Sequence, residues 1–82
     1  MDFLQKSKEK LVKHYNLNNE TQITADDVYV VWFCKTLQNA KALLSTNVSG
    51  DGAYYEMTLN GDKNEMYLDC YKKQENQAIK LG

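Results

Sequence analysis

The sequence predicts an α+β protein in which one N-terminal amphipathic helix packs on one face of a four-stranded antiparallel meander sheet, in the order α-β-β-β-β. Three observations predict this class. Apolar residues recur at helical spacing near the start of the chain, and later stretches alternate apolar with polar residues as half-buried strands do. Clusters of glycine, asparagine and aspartate between these stretches are typical of tight turns. A length of 82 residues favours a single domain, 1–82.

The predicted helix covers residues 3–16. Asp2 is a good N-cap, and Gln5 three residues later completes a pattern resembling a capping box, which would satisfy free backbone amides of the first turn. The apolar stripe expected to face the sheet consists of Leu4, Leu11, Val12 and Tyr15, with Phe3 at its edge. The lysines on the remaining faces form a candidate basic surface: Lys6, Lys8, Lys10 and Lys13.

A polar connector is predicted over residues 17–27. Ile23 is its expected anchor, and the segment 24–27 suits either a turn or the start of a second helix. The next residues are dense in β-branched and aromatic types, which favours a first strand at about 28–35 over a helix. A second strand is predicted at about 39–47.

The first hairpin is expected to be partly apolar on both faces. Counting outward from a short turn at 37–38 gives the predicted cross-strand pairs, which are Phe33 with Ala42, Val31 with Leu44 and, on the other face, Trp32 with Leu43. One face would pack against the helix. The helix would not cover the apolar residues of the other face, so their presence there needs a further explanation.

The second hairpin is predicted from strands at about 53–59 and 64–72, joined by the turn signal Asn60-Gly61-Asp62-Lys63. The inward positions are Ala53, Tyr55, Met57, Leu59, Met66, Leu68 and Cys70, and the outward positions include Tyr54, Tyr67 and Tyr71. The expected register pairs Met57 with Met66 and Tyr55 with Leu68. A polar tail at 73–82 is expected to be coil or a short helix.

Composition and charge narrow the function classes. A net charge of −1 argues against a protein whose main task is to neutralise nucleic-acid phosphates. No apolar run approaches the roughly 20 residues that a membrane-spanning helix needs, and the charged start of the chain does not resemble a signal peptide. We therefore expect a cytoplasmic protein without membrane contact. Cys34 and Cys70 are expected to be reduced and buried as small apolar residues, although their spacing leaves a disulfide open.

No motif fixes a chemistry, so we expect no enzyme, no cofactor and no metal site. Glu56 and Asp69 should share one outward sheet face, where solvated surface charge is favoured over an acid–base pair. His14, the only histidine, suits the helix dipole better than a reaction, because no serine or cysteine is visibly coupled to it. Three further acidic residues match no calcium loop and are interpreted as turn and cap residues: Asp26, Asp27 and Asp51.

The outward aromatic residues give the strongest functional hypothesis. Tyrosine and tryptophan are enriched in protein interfaces because they bury a large area with few rotatable bonds. The candidate protein interface consists of Trp32, Leu43, Tyr54, Tyr67 and Tyr71. The partner is either a second copy of the chain, which would form a homodimer, or a different protein. The alternative function is that of a small nucleic-acid-binding protein using the lysine-rich helix.

Two segments, VYVVWFCKTLQNAKALLST and YYEMTLNGDKNEMYLDCYKKQEN, resemble a family of short uncharacterised proteins encoded by phages and prophages of Gram-positive bacteria. The similarity runs from about Thr24 to Asn76 and is carried by Val-Trp, Lys-Thr-Leu-Gln-Asn and Asn-Gly-Asp-Lys-Asn-Glu. The family has no assigned activity, so the resemblance implies no functional residues. It implies a phage accessory protein in a bacterial host cytoplasm, with a host or phage protein as partner.

Overall fold

The computed structural model describes residues 2–72 and 74–82 and shows one helix followed by a four-stranded antiparallel sheet with the strand order β1-β2-β3-β4. This arrangement confirms the predicted fold class. The elements are α1 (Phe3–Asn18), a 3₁₀ turn (Ala25–Asp27), β1 (Val28–Thr36), β2 (Asn39–Thr46), β3 (Ala53–Asn60) and β4 (Glu65–Lys72). The segment 74–82 follows β4 and is neither helical nor paired as a strand.

Helix α1 begins at its predicted cap, where Oδ1 of Asp2 accepts hydrogen bonds from the amides of Leu4 and Gln5. The side chains that α1 buries follow a four-residue spacing and are Phe3, Ser7, Leu11 and Tyr15. Leu4 and Val12, predicted to lie within this stripe, are only half-buried at its flank. The small side chain of Ser7, which is fully buried, therefore occupies the middle of the helix–sheet contact.

The end of α1 lies at Asn18, two residues beyond the predicted end. Asparagine side chains explain the extension. The Asn18 amide donates to the His14 carbonyl (2.7 Å), and the Asn19 amide donates to the Tyr15 carbonyl (3.0 Å). These bonds satisfy carbonyl groups that the last turn of a helix leaves without intrahelical partners.

The connector forms a turn and not a second helix. The Thr24 amide donates to Oδ2 of Asp27 (2.9 Å), and the Asp27 amide donates to the Thr24 carbonyl (3.0 Å). Ile23 is buried, as expected of an anchor, and its amide donates to the side chain of Asn16 on α1. Strand β1 follows directly, because its β-branched and aromatic residues favour extended backbone.

A β-bulge interrupts the pairing of β1 with β2. Val30 lies opposite Leu44 and Trp32 lies opposite Leu43, so Val31 is the extra residue and its predicted pairing with Leu44 is wrong. The predicted pair of Trp32 with Leu43 is confirmed, as is the pair of Phe33 with Ala42. On the N-terminal side of the bulge, each residue of β1 therefore lies on the opposite face of the sheet from the one that unbroken alternation predicts.

The register of the second hairpin differs from the prediction by two residues. Met57 lies opposite Leu68 and Tyr55 lies opposite Cys70, so both predicted pairs are wrong. The reason is the turn, which leaves Asn60 paired with Glu65 and places the positive φ of 52° at Asn64 instead of at a glycine. Because side chains alternate with period two, a shift of two residues leaves every side chain on its predicted face.

The core lies between α1 and one face of the sheet, called the inner face from here on. Helix α1 contacts β1, β2 and β3. The buried apolar residues of the sheet are Val28, Ala40, Ala42, Leu44, Ala53, Tyr55 and Met57. On β4, Met66 and Leu68 are half-buried against this core, whereas Cys70 is exposed. The helix therefore leaves the inner side of β4 partly uncovered.

Candidate protein interface on the outer face of the sheet

The outer face of the sheet is the face opposite α1, and cross-strand pairing arranges its side chains in rows. One row contains Trp32, Leu43, Glu56 and Asp69, and the next contains Cys34, Lys41, Thr58 and Tyr67. On the other side of the Trp32 row, Tyr29 lies opposite Ser45 and Tyr54 lies opposite Tyr71. All members of the candidate interface therefore share one face, together with Tyr29.

The aromatic side chains of the outer face are about half exposed. The exposed fractions are 51% for Tyr29, 51% for Trp32, 46% for Tyr54, 44% for Tyr67 and 52% for Tyr71. Leu43 is half-buried, with Trp32 opposite it on β1 and Glu56 opposite it on β3. Several large apolar side chains left in water on a single face form the kind of surface on which proteins bind partners.

Sequence reasoning missed Tyr29. Unbroken alternation along β1 would place Tyr29 on the same face as Phe33, which stacks on Phe3 of α1 with ring centroids 5.8 Å apart. The bulge at Val31 places Tyr29 on the outer face instead. An isolated glycine within a strand suggests a bulge, and β1 contains no glycine, so no residue of β1 indicates the reversal.

An open cleft of about 580 Å³ lies at one end of the outer face, between Tyr29, Tyr54 and Tyr71. Ser45 also lines this cleft, and its buried hydroxyl donates to the Ala53 carbonyl (3.0 Å). A shallower depression of about 230 Å³ lies beside Trp32. The outer face thus offers two recesses, one lined by three tyrosines and one beside Trp32, each large enough for a protruding side chain of a partner.

Carboxylates occupy the middle of the outer face. Glu56 lies directly opposite Asp69, so the two share a face as predicted. Oε1 of Glu56 is 3.5 Å from Nζ of Lys41, an ion pair that offsets part of the repulsion between the like charges. Nearer the turn, the Tyr67 hydroxyl donates to Oε2 of Glu65 (2.6 Å), and this hydrogen bond raises the pKa of Tyr67. Along β3 and β4, the two carboxylates therefore separate Tyr67 from Tyr54 and Tyr71.

Asp51 holds the turn between β2 and β3, at the edge of the cleft. Its carboxylate accepts hydrogen bonds from the Thr46 hydroxyl (2.7 Å) and from the Tyr55 hydroxyl (3.1 Å). Burial raises the pKa of Tyr55, and the neighbouring Asp51 carboxylate raises this pKa further. Asp51 therefore has the turn role predicted from the sequence.

The candidate basic surface lies on α1, away from the outer face. Nζ of Lys6 is 3.9 Å from Oε2 of Glu9, whereas Lys10 and Lys13 are exposed. Because α1 covers the inner face, these lysines do not adjoin the outer tyrosines. The fold separates the lysines of α1 from the outer aromatic residues, beside which lie only the single lysines Lys41, near Trp32, and Lys72, near Tyr71, among the residues that line the two recesses. A site for single-stranded nucleic acid needs a basic groove together with aromatic side chains.

Both cysteines are exposed free thiols, so their predicted burial is wrong. The reason is their position, since Cys34 lies on the outer face of edge strand β1, whereas Cys70 lies on the inner side of edge strand β4, beyond the cover of α1. Within residues 2–72 and 74–82, no three or more His, Cys, Asp or Glu side chains are grouped so as to hold a metal ion. The helix in the same part of the chain lacks the length and apolar character needed to cross a membrane.

Comparison with known protein families gives a match over nearly the whole chain. The matching model is described as a family of unknown function (DUF6275) and covers residues 4–81. The match includes α1, all four strands and most of the segment 74–82. No curated protein and no solved structure matches the chain.

Proposed function

The chain belongs to the family of unknown function DUF6275, and we propose that it acts by binding a partner protein through the outer face of its sheet and not by catalysis. The observation that carries this proposal is the set of half-exposed aromatic side chains on that one face. A tyrosine or tryptophan that is already held by a strand loses little freedom on binding, so most of its burial energy goes to affinity.

The layout of the outer face suggests how a partner would be recognised. Trp32 and the half-buried Leu43 form an apolar contact at one edge, and Tyr54 and Tyr71 form another at the opposite edge. Glu56 and Asp69 continue the row of Trp32 and Leu43 and lie next to Tyr54 and Tyr71 along β3 and β4, so they favour a partner that is polar or basic where it meets them. Apolar contacts would then supply affinity, and the carboxylates would exclude partners with acidic surfaces.

The biological setting is part of the same proposal. The segments from Thr24 to Asn76 resemble proteins encoded by phages and prophages, so we infer a phage accessory protein that acts in a bacterial host cytoplasm. The partner would then be a host or phage protein, and modulation of a host defence or replication factor is one form that this function takes.

The test is affinity purification of the tagged protein from an expressing bacterium, followed by mass spectrometry. The wild type should retain a partner that the double variant Trp32→Ala/Tyr67→Ala loses. Leu17→Ala is the control, because Leu17 is a large apolar residue on α1 that is even more exposed than Trp32 and Tyr67. If the double variant retains every partner of the wild type, the outer face is not the binding surface.

Nucleic-acid binding is the second candidate function, and the exposed Lys10 and Lys13 on α1 favour it. A gel-shift assay on single- and double-stranded nucleic acid at increasing salt tests it, because phosphate contacts weaken steeply as salt rises. Salt-sensitive binding that Lys10→Glu/Lys13→Glu abolishes and Trp32→Ala leaves intact would replace the first proposal by the second.

A further inference from the structure

The inner side of β4 is an uncovered apolar surface. Helix α1 packs over β1, β2 and β3, and a cleft of about 450 Å³ remains between α1 and β4. Its apolar lining consists of Met57, Met66 and Leu68, and Cys70 continues the same side of the strand. Among the residues that the structure describes, β4 pairs only with β3, so its other side presents backbone groups without a partner strand.

The segment 74–82 carries the complementary feature. Every residue in it is exposed, and its two large apolar side chains, Ile79 and Leu81, are 77% and 97% exposed. Their spacing of two residues places both on one side of an extended strand. Leu68 and Cys70 on β4 have the same spacing and face the inner side.

We propose that the segment around Ile79 and Leu81 binds as an added antiparallel strand along the free side of β4 in a second copy of this chain, and that two copies exchange these segments symmetrically. The added strand would bond to the free backbone groups of β4. Ile79 and Leu81 would cover Cys70 and Leu68 and close the cleft beside α1.

The β4 strand of a second copy is a better acceptor for this segment than the β4 strand of the same chain. A return of the segment onto its own β4 needs a tight turn within Lys73-Gln74-Glu75-Asn76, which has no glycine or proline to favour one. An exchange of segments between two copies needs no such turn after β4. It also uses the same two surfaces in both copies, which is the self-complementary contact of a two-fold dimer.

The inner side of β4 is distinct from the outer face, so this inference does not depend on the proposed function. A symmetric exchange leaves Trp32, Tyr54 and Tyr71 free to bind a partner protein. The dimer and the partner surface can therefore be tested separately.

Sedimentation equilibrium of the purified protein tests the exchange. The wild type should have twice the protomer mass of 9.5 kDa, and Ile79→Asp/Leu81→Asp should have the mass of one protomer. Both side chains are exposed in the protomer, so the substitutions should leave its fold and circular dichroism unchanged. Leu17→Asp is the matched control and should remain a dimer, because Leu17 is equally exposed but lies on α1.

A disulfide identifies which copy accepts the segment. In a Cys34→Ser background, Ile79→Cys should be oxidised to a bridge with Cys70 and give a covalent dimer on a non-reducing gel, whereas Ala78→Cys, on the other side of the strand, should not. A wild type that sediments as a monomer, or an oxidised bridge within one chain, would overturn the proposal. So would a dimer that Ile79→Asp/Leu81→Asp leaves intact.

Discussion

The two faces of the sheet differ in where they place large side chains. The inner face buries three alanines, Ala40, Ala42 and Ala53, against a helix whose central buried residue is Ser7. The outer face carries tyrosines and a tryptophan that remain half exposed. A small domain gains most stability by burying its largest apolar side chains, yet this chain leaves several of them in water. The inner face thus serves stability, and the exposed side chains of the outer face are the ones that we propose serve recognition.

The largest expected effect comes from shortening a core side chain on the inner face. Leu44 is fully buried, so Leu44→Ala should lower the free energy of unfolding by about 2–5 kcal/mol. Trp32→Ala on the outer face should lower it by only about 1 kcal/mol, because half of this side chain is already in water. Urea denaturation monitored by circular dichroism measures both. Equal losses would show that the two faces do not divide stability and recognition between them.

The next effect concerns the Tyr55 hydroxyl on the inner face. Tyr55→Phe removes its hydrogen bond to Asp51 and should cost roughly 1.5–3 kcal/mol near neutral pH, the usual value for a bond to a charged group. Folding raises the pKa of Tyr55, so the folded state holds this proton at a pH where the unfolded state has lost it. The stability from this group is complete below the unfolded pKa of about 10 and falls as the pH rises above that value.

Urea denaturation of wild type and Tyr55→Phe at several pH values above and below 10 measures this linkage. The difference in stability between the two proteins should shrink as the pH rises. A difference that stays constant across this range would show that the Tyr55 proton is not linked to folding.

A smaller effect of opposite sign is expected at Ser7. Its Oγ is fully buried and has no hydrogen-bond partner, which makes the hydroxyl a cost to the folded state. Ser7→Ala should therefore raise the free energy of unfolding by about 1 kcal/mol, since it removes an unsatisfied polar group and introduces a better helix former. Thermal unfolding gives the sign, and a lower melting temperature in the variant would contradict the prediction.

The smallest effect is expected at the turn between β1 and β2, which belongs to neither face of the sheet. Leu37 has a φ of 54° and is 87% exposed, so this leucine has a left-handed backbone and buries little surface. Leu37→Asn should stabilise the protein by roughly 0.5 kcal/mol, because asparagine tolerates this conformation better. The urea midpoint measures the gain. A loss would indicate that the Leu37 side chain makes a stabilising contact.

Much of the fold could be predicted from the sequence because local chemistry determines it. Asp2 predicted the start of α1, and the alternation in β3 and β4 assigned their faces correctly even though the turn shifted their pairing by two residues. The bulge at Val31 could not be predicted, because it depends on how two strands fit together and not on any residue within β1. For the same reason, the sequence did not predict that Tyr29 lies on the outer face.

The exposure of Cys34 and Cys70 was missed for a related reason. Cysteine is usually buried, but burial also depends on the face that the residue occupies, as for Cys34, and on which strands α1 covers, as for Cys70. Both are tertiary properties. For the candidate interface, the sequence identified the outward residues of β3 and β4. Their relation to Tyr29 and to the cleft beside it required the structure.

The bulge at Val31 also has a consequence for stoichiometry. A sheet with two regular edges can add copies at both sides and grow into an open-ended fibre. In this protein the bulge distorts β1 as a template, so β4 is the regular edge that remains for strand addition. Once two copies have exchanged their segments, both donor segments and both β4 acceptor edges are used. Assembly by the proposed exchange therefore terminates at two copies, even at high expression.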